Sequence, residues 1–202
     1  MTNKDFLPKD KFFDVCKNGT TTDVKNAISA GANVNTVWAY KNYSKKDFTP
    51  LMVAVCDNPN FDVVSELIAQ GAKIDMQDAN KRTALMWAVL RCIENPDSEV
   101  SFEAVRVLIA NGADVNLQDN DDKTVLMLAL EGAQNLDVIF RCFGDKNSSN
   151  WLNFNFGLRD KDGMTAHDFV EKGVSEERFA NDWDNLSAIN SLTSTNVVDD
   201  DE

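Results

Sequence analysis

Four cysteines, a single histidine and two aspartate-rich runs are the side chains here whose types could do chemistry. Cys16, Cys56, Cys92 and Cys142 lie far apart, each inside an apolar helical pattern, and no Cys-x-x-Cys pair exists. A zinc centre needs four nitrogen or sulfur donors at local spacing, and His167, the lone histidine, does not complete such a set. The thiols are predicted to be small buried hydrophobes, reduced as in a cytoplasm. Asp119-Asn120-Asp121-Asp122 and Asp160-Lys161-Asp162-Gly163 look superficially like calcium loops. An EF-hand loop, however, alternates its ligands up to a glycine and closes on a glutamate, which neither run supplies. Aspartate and glycine are equally the residues of a tight turn. No Gly-x-Ser-x-Gly elbow, phosphate-cradling glycine loop or His-Glu-x-x-His is present. The expectation is no enzyme, no metal and no cofactor.

Binding chemistry is better represented. Between residues 38 and 48, Trp38, Tyr40, Tyr43 and Phe48 are interleaved with Lys41, Lys45 and Lys46. Large aromatic rings beside cations are the composition of protein-binding hot spots. Elsewhere the chain is acidic, with a formal charge of −13 over 202 residues. Eight acids against Arg178 after residue 174 hold about half of that excess. Such a field repels phosphate backbones, so no nucleic acid is expected, and it steers a basic protein partner. Hydrophobic residues at 43% and charged residues at 26% suit a folded domain. No stretch is long and apolar enough to span a bilayer, and the N-terminus lacks an apolar run for a Sec signal. No membrane association and a cytoplasmic monomer are expected, with export by a specialised apparatus or delivery to a host cell left open.

The elements that position these residues are legible as repeats. Thr49-Pro-Leu-Met-Val-Ala-Val55, Thr83-Ala-Leu-Met-Trp-Ala-Val89, Thr124-Val-Leu-Met-Leu-Ala-Leu130 and Thr165-Ala-His-Asp-Phe-Val-Glu171 share one register. Gly31-Ala32, Gly71-Ala72 and Gly112-Ala113 follow apolar helical stretches between them. This pattern resembles the ankyrin repeat, with its Thr-Pro-Leu-His-x-Ala helix start. The family's histidine is Met52, Met86 and Met127 here, and Asp168 in the last copy, while His167 takes the usual leucine position. The resemblance is most specific over residues 49–130.

It implies an all-α ankyrin-repeat solenoid of about five helix-turn-helix units, with divergent caps and short β-turn fingers. A threonine caps each first helix, and no hairpin buries its apolar stripe alone, so neighbours must stack. The units have first or second helices near 9–18 and 22–30, then units from Thr49, Thr83, Thr124 and Thr165, with a C-terminal cap near 183–192. The domain is expected over 1–192 and an acidic disordered tail over 193–202. Signature threonines are 34, 41 and 41 residues apart, which places insertions between the helices of the third unit (92–101) and after the fourth (144–156); the first finger, Asn35 to Thr49, is also six residues longer than the second, Asp75 to Thr83. Insertions in repeat proteins fall on exposed loops.

By the same resemblance the partner is met by finger tips and by the exposed side of the first helices. Those positions are Asn80 and Arg82, with Ala79; Asn120, Asp121 and Lys123; Lys161, Asp162 and Met164; and, on first helices, Asp57, Arg91 and Glu131. With Trp38, Tyr40, Tyr43, Lys45, Lys46 and Phe48 they make the expected partner-binding set. Arg82 and Arg91 have Asp78 and Asp57 as alternative internal partners. Met86, Trp87 and Met127 read as core. The implied function is a protein–protein interaction module or scaffold. Alternatives are an immunity protein neutralising a co-encoded toxin and a bacterial effector acting in a host cell.

Overall fold

The computed structural model describes residues 8–38, 47–145, 147–179 and 183–194. Within them the chain forms ten α-helices: α1 Lys9–Asn18, α2 Thr21–Ser29, α3 Pro50–Asp57, α4 Asp62–Ala69, α5 Ala84–Glu94, α6 Glu99–Ala110, α7 Val125–Gly132, α8 Asp137–Phe143, α9 Ala166–Ser175 and α10 Trp183–Ser194. First helices α1, α3, α5, α7 and α9 stack in one row, and α2, α4, α6 and α8 in a second. Five hairpins therefore share one continuous apolar seam, the all-α repeat solenoid that the spacing predicts.

Local chemistry explains five of the helix starts, although the first helix α1 follows Pro8 without a side-chain cap. Thr20, Thr49, Thr83, Thr124 and Thr165 each accept, through the side chain, the backbone N–H three residues on. This satisfies one of the orphan donors of a helix N-terminus. Met52, Met86 and Met127 occupy the third position and are fully buried, so where polar residues would bridge units this array packs thioethers. Gly31, Gly71 and Gly112 end α2, α4 and α6 at φ of 100°, 88° and 85°, the left-handed stop that glycine adopts without strain.

The fingers share one plan. Asp78 Oδ1 accepts from the N–H of Asn80 and Arg82 at 2.7 and 2.9 Å. Asp119 Oδ1 does so from Asp121 and Lys123, and Asp160 Oδ1 from Asp162 and Met164. All three carboxylates are buried turn-formers. Two residues before each signature threonine the backbone is left-handed, at Asp47, Lys81, Asp122 and Gly163.

Several boundaries differ from expectation. Helix α2 begins one residue early because Thr20, in a reciprocal capping box with Asp23, is its cap. The insertion of the third unit lengthens helices more than the loop, leaving only residues 95–98 between α5 and α6. Helix α10 runs past 192, and Thr193 is fully buried; residues 195–202 lie outside the described residues. The 144–156 segment does not project its aromatics. Trp151, Phe154 and Phe156 are buried in a ring cluster with Phe143, with the indole N–H of Trp151 donating to Asp145 O at 2.8 Å. That insertion is held by its own core.

Candidate functional site

The fingers are welded edge to edge. Asn120 N–H donates to Asn80 O at 2.8 Å, and Lys161 N–H to Asp121 O at 3.1 Å. Gln77 reaches Gln118 O at 3.1 Å, and Gln118 reaches Arg159 O at 2.9 Å. At the finger bases Asn35 bonds Gly71 O and Lys73 N, and Asn116 bonds Asn153 O and Asn155 N. Sequence reading passed over this ladder. Its signal was present: Gln77 and Gln118 both stand six residues before their signature threonine. The ladder brings Asn80, Asn120, Asp121 and Lys161 into one row, with exposed Asp162 and half-buried Met164 beside Lys161.

Beneath the tips runs a line of rings and ions. Trp38 lies 5.4 Å from Phe13, ring centre to ring centre, and Phe48 lies 5.2 Å from Trp87. Trp38 and Phe48 exchange two backbone hydrogen bonds of 3.1 Å. The Trp87 indole N–H donates to Asp78 Oδ2 at 3.1 Å, and the Arg82 guanidinium sits 5.5 Å from the indole centre. Arg82 also donates to Asp119 Oδ2 at 3.4 Å, in the next finger, rather than to Asp78. Further along, Lys123 pairs with Glu131 at 2.6 Å and lies over Phe169 at 5.5 Å.

Two expectations need correction here. Phe48 is fully buried, tied to Trp38 and packed on Trp87, so it stands beneath the face and is not an exposed contact residue. Trp87, read as core with Met86 and Met127, is half-buried, whereas both methionines are fully buried. The heptapeptide register alone does not distinguish these positions. Trp38 is half-buried at the root of the first finger, and Tyr40, Tyr43, Lys45 and Lys46 lie outside the described residues.

Asp57 and Arg91 separate from the finger face. Both stand eight residues past their threonine, and about 12 Å of helix divides that position from the cap. Asp57 is 3.6 Å from Lys17, and Arg91 is 2.9 Å from Glu94. They line one cavity at the turn edge, the end of the hairpins opposite the fingers.

Among the shifted groups are the Asp168 carboxyl, in the first turn of α9, and two buried thiols. Burial would raise the Asp168 carboxyl, but hydrogen bonds from Thr165 and the charges of His167 and Arg159 hold it below the usual range. Burial pushes the Cys16 thiol up to about 12. Cys142 is raised by its hydrogen bond with Cys92 and by burial. Such thiols are inert packing groups. Among the described residues no helix is long and apolar enough to cross a membrane.

A stack of capped helical hairpins with hydrogen-bonded fingers is a repeat array built to present a surface. A family model described as "Ankyrin repeats (3 copies)" matches residues 12–98, and one described as "Ankyrin repeat" matches 80–120. The chain belongs to the ankyrin-repeat family. Ankyrin repeats generally mediate protein–protein interaction and are typically non-enzymatic. No curated protein matches the chain significantly.

Proposed function

We propose that the array binds a partner protein with a basic surface through the face where its fingers meet the first-helix row. Trp38 and Trp87 are the anchors, with Arg82 and the tips at Asn80, Asn120, Asp121, Lys161, Asp162 and Met164 around them. Lys123 and Glu131 close the far side, and Tyr40, Tyr43, Lys45 and Lys46, which lie outside the described residues, are included from the sequence alone. The supporting observation is that two half-buried tryptophans are each braced by a buried phenylalanine. A rigid aromatic loses little conformational freedom on binding, and Trp and Arg lead the residue types on which binding energy concentrates. Charge supports the sign of the partner, since an excess of carboxylates attracts a basic surface and rejects an acidic one. The mode of action is occlusion or scaffolding.

Affinity capture with the intact chain and with a Trp38→Ala/Trp87→Ala variant tests this reading. The variant is expected to keep its helical circular-dichroism spectrum and to lose the captured protein. Equal capture by a folded double variant would remove this face from the account.

A further inference from the structure

The turn edge repeats one device at its unit boundaries. Between the first and second units, Lys17 Nζ lies 3.6 Å from Asp57 Oδ2. Between the third and fourth, the Arg141 guanidinium lies 3.8 Å from the centre of the Phe102 ring. It donates to Pro96 O at 2.6 Å and to Glu99 Oε2 at 3.2 Å. Between the fourth and fifth, Arg178 donates to Leu130 O at 3.0 Å and Ala133 O at 2.7 Å. In each case a cation of one unit sits on the carbonyls or the carboxylate at its neighbour's turn. The first helices end there, and a helix C-terminus carries partial negative charge.

Between the second and third units a cavity intervenes: Arg91 of the third unit lines it beside Asp57 and is paired with Glu94 of its own hairpin. Helices α5 and α6 have 11 and 12 residues against 8 each in α3 and α4. At 1.5 Å per residue the third hairpin stands roughly 5 Å proud of the second. The cavity under the overhang has a volume of about 260 Å³. Its lining is mixed: Val55, Phe61 and Val100, the last 36% exposed, give the apolar part, and Asp57, Asn58, Arg91, Ser98 and Ser101 the polar part. Exposed Glu94, Asp97 and Glu99 succeed one another along the overhanging hairpin.

We propose that this cavity takes a basic side chain, arginine or lysine, presented by the partner protein. The methylene stem packs on Val55, Phe61 and Val100, and the charged head lies between the Asp57 carboxylate and the Ser98 and Ser101 hydroxyls. The chain's own Arg141 makes the equivalent contact on the other flank of the same hairpin, with an aromatic ring below and a carboxylate at the head. A long cationic side chain combines both needs, because its stem is apolar and its head is charged. This contact rests on the reading of the chain as a protein-binding array, but it is a second site, one hairpin length from the fingers.

The probe is the tripeptide acetyl-Gly-Arg-Gly-amide, titrated into the isotope-labelled full chain and monitored by backbone amide NMR. Saturable shifts are expected at Asp57 and at residues 98–101, with the lysine analogue also active and acetyl-Gly-Glu-Gly-amide inactive. A Ser101→Arg variant places the chain's own guanidinium in the cavity and is expected to weaken the tripeptide about tenfold or more. Asp57→Asn is expected to weaken it in the same sense and serves if Ser101→Arg does not fold. Shifts confined to the fingers, an equal response to the glutamate peptide, or an unchanged titration in a folded variant would overturn the proposal. Partner capture by the Trp38→Ala/Trp87→Ala variant reads the finger face independently, so either reading can fail alone.

Discussion

Thr165 and Asp168 show how a single pair of side chains sets a local stability. Each hydrogen-bonds the other's backbone, Thr165 N–H to Asp168 Oδ2 at 2.7 Å and Asp168 N–H to Thr165 Oγ1 at 3.4 Å. The Asp168 carboxyl is depressed, so its contribution is present above the ordinary carboxylate range and disappears as pH falls through the lower folded value. Asp168→Asn should therefore destabilise most at neutral pH, with the gap to wild type closing in acid; a gap independent of pH in denaturant titrations would contradict this. The cysteines carry the opposite expectation. All four are fully or almost fully buried, so native thiols should resist a disulfide reagent and react only after denaturation. Rapid labelling of one cysteine in the native state would show that its helix opens locally. His167 fills the leucine position, its Nδ1 lying 3.1 Å from Thr193 Oγ1 on α10.

At the scale of elements, two positions depart from what propensity alone would suggest. Replacing a helical glycine by alanine ordinarily stabilises by about 1 kcal/mol. At Gly173, within α9, a Cβ would collide with the Phe179 ring. Gly173→Ala is therefore expected to destabilise by about 2 kcal/mol through overpacking, read as a lower Tm; a raised Tm would show that the ring moves aside. The fingers offer the reverse case. Asp122 holds φ at 55° where the fourth finger has Gly163 at 78°. Asp122→Gly should be close to neutral or stabilise by a few tenths of a kcal/mol, about what the left-handed strain of a non-glycine residue allows. Thermal denaturation compares the two variants directly. Thr124→Ala, which removes the cap of α7, should destabilise by about 1 kcal/mol.

Across the whole molecule the decisive quantity is charge distributed over a stack whose units depend on one another. Ion pairs between fingers and at the turn edge consume much of the positive charge, as Arg82 with Asp119 and Arg141 with Glu99 illustrate. A residual acidic surface steers encounter more than it holds the complex. Capture of a basic partner should therefore weaken with salt chiefly through its association rate, measurable by surface plasmon resonance between low and near-physiological ionic strength. Association independent of salt would place recognition entirely on the aromatic face. Because the main contacts among the described helices join adjacent hairpins, a defect in α9 is expected to loosen the last unit before the first.

Hairpin number, capping threonines and finger aspartates were all legible in the linear chain, because each depends on contacts within a few residues. Thr49, Thr83 and Thr124 cap their own helices whatever the rest of the molecule does. The exposure of Trp87, the burial of Phe48 and of the Trp151 cluster, and the pairing of Arg82 with Asp119 were not legible. Those depend on which surface of one unit a neighbour some 40 residues away covers. The step between the second and third units belongs with them. Extra residues at 92–101 are visible in the chain, but only stacking shows that they lengthen two helices and overhang the adjacent turn. Short-range hydrogen bonding is written in residue order; burial and the spaces left over are properties of the assembled stack.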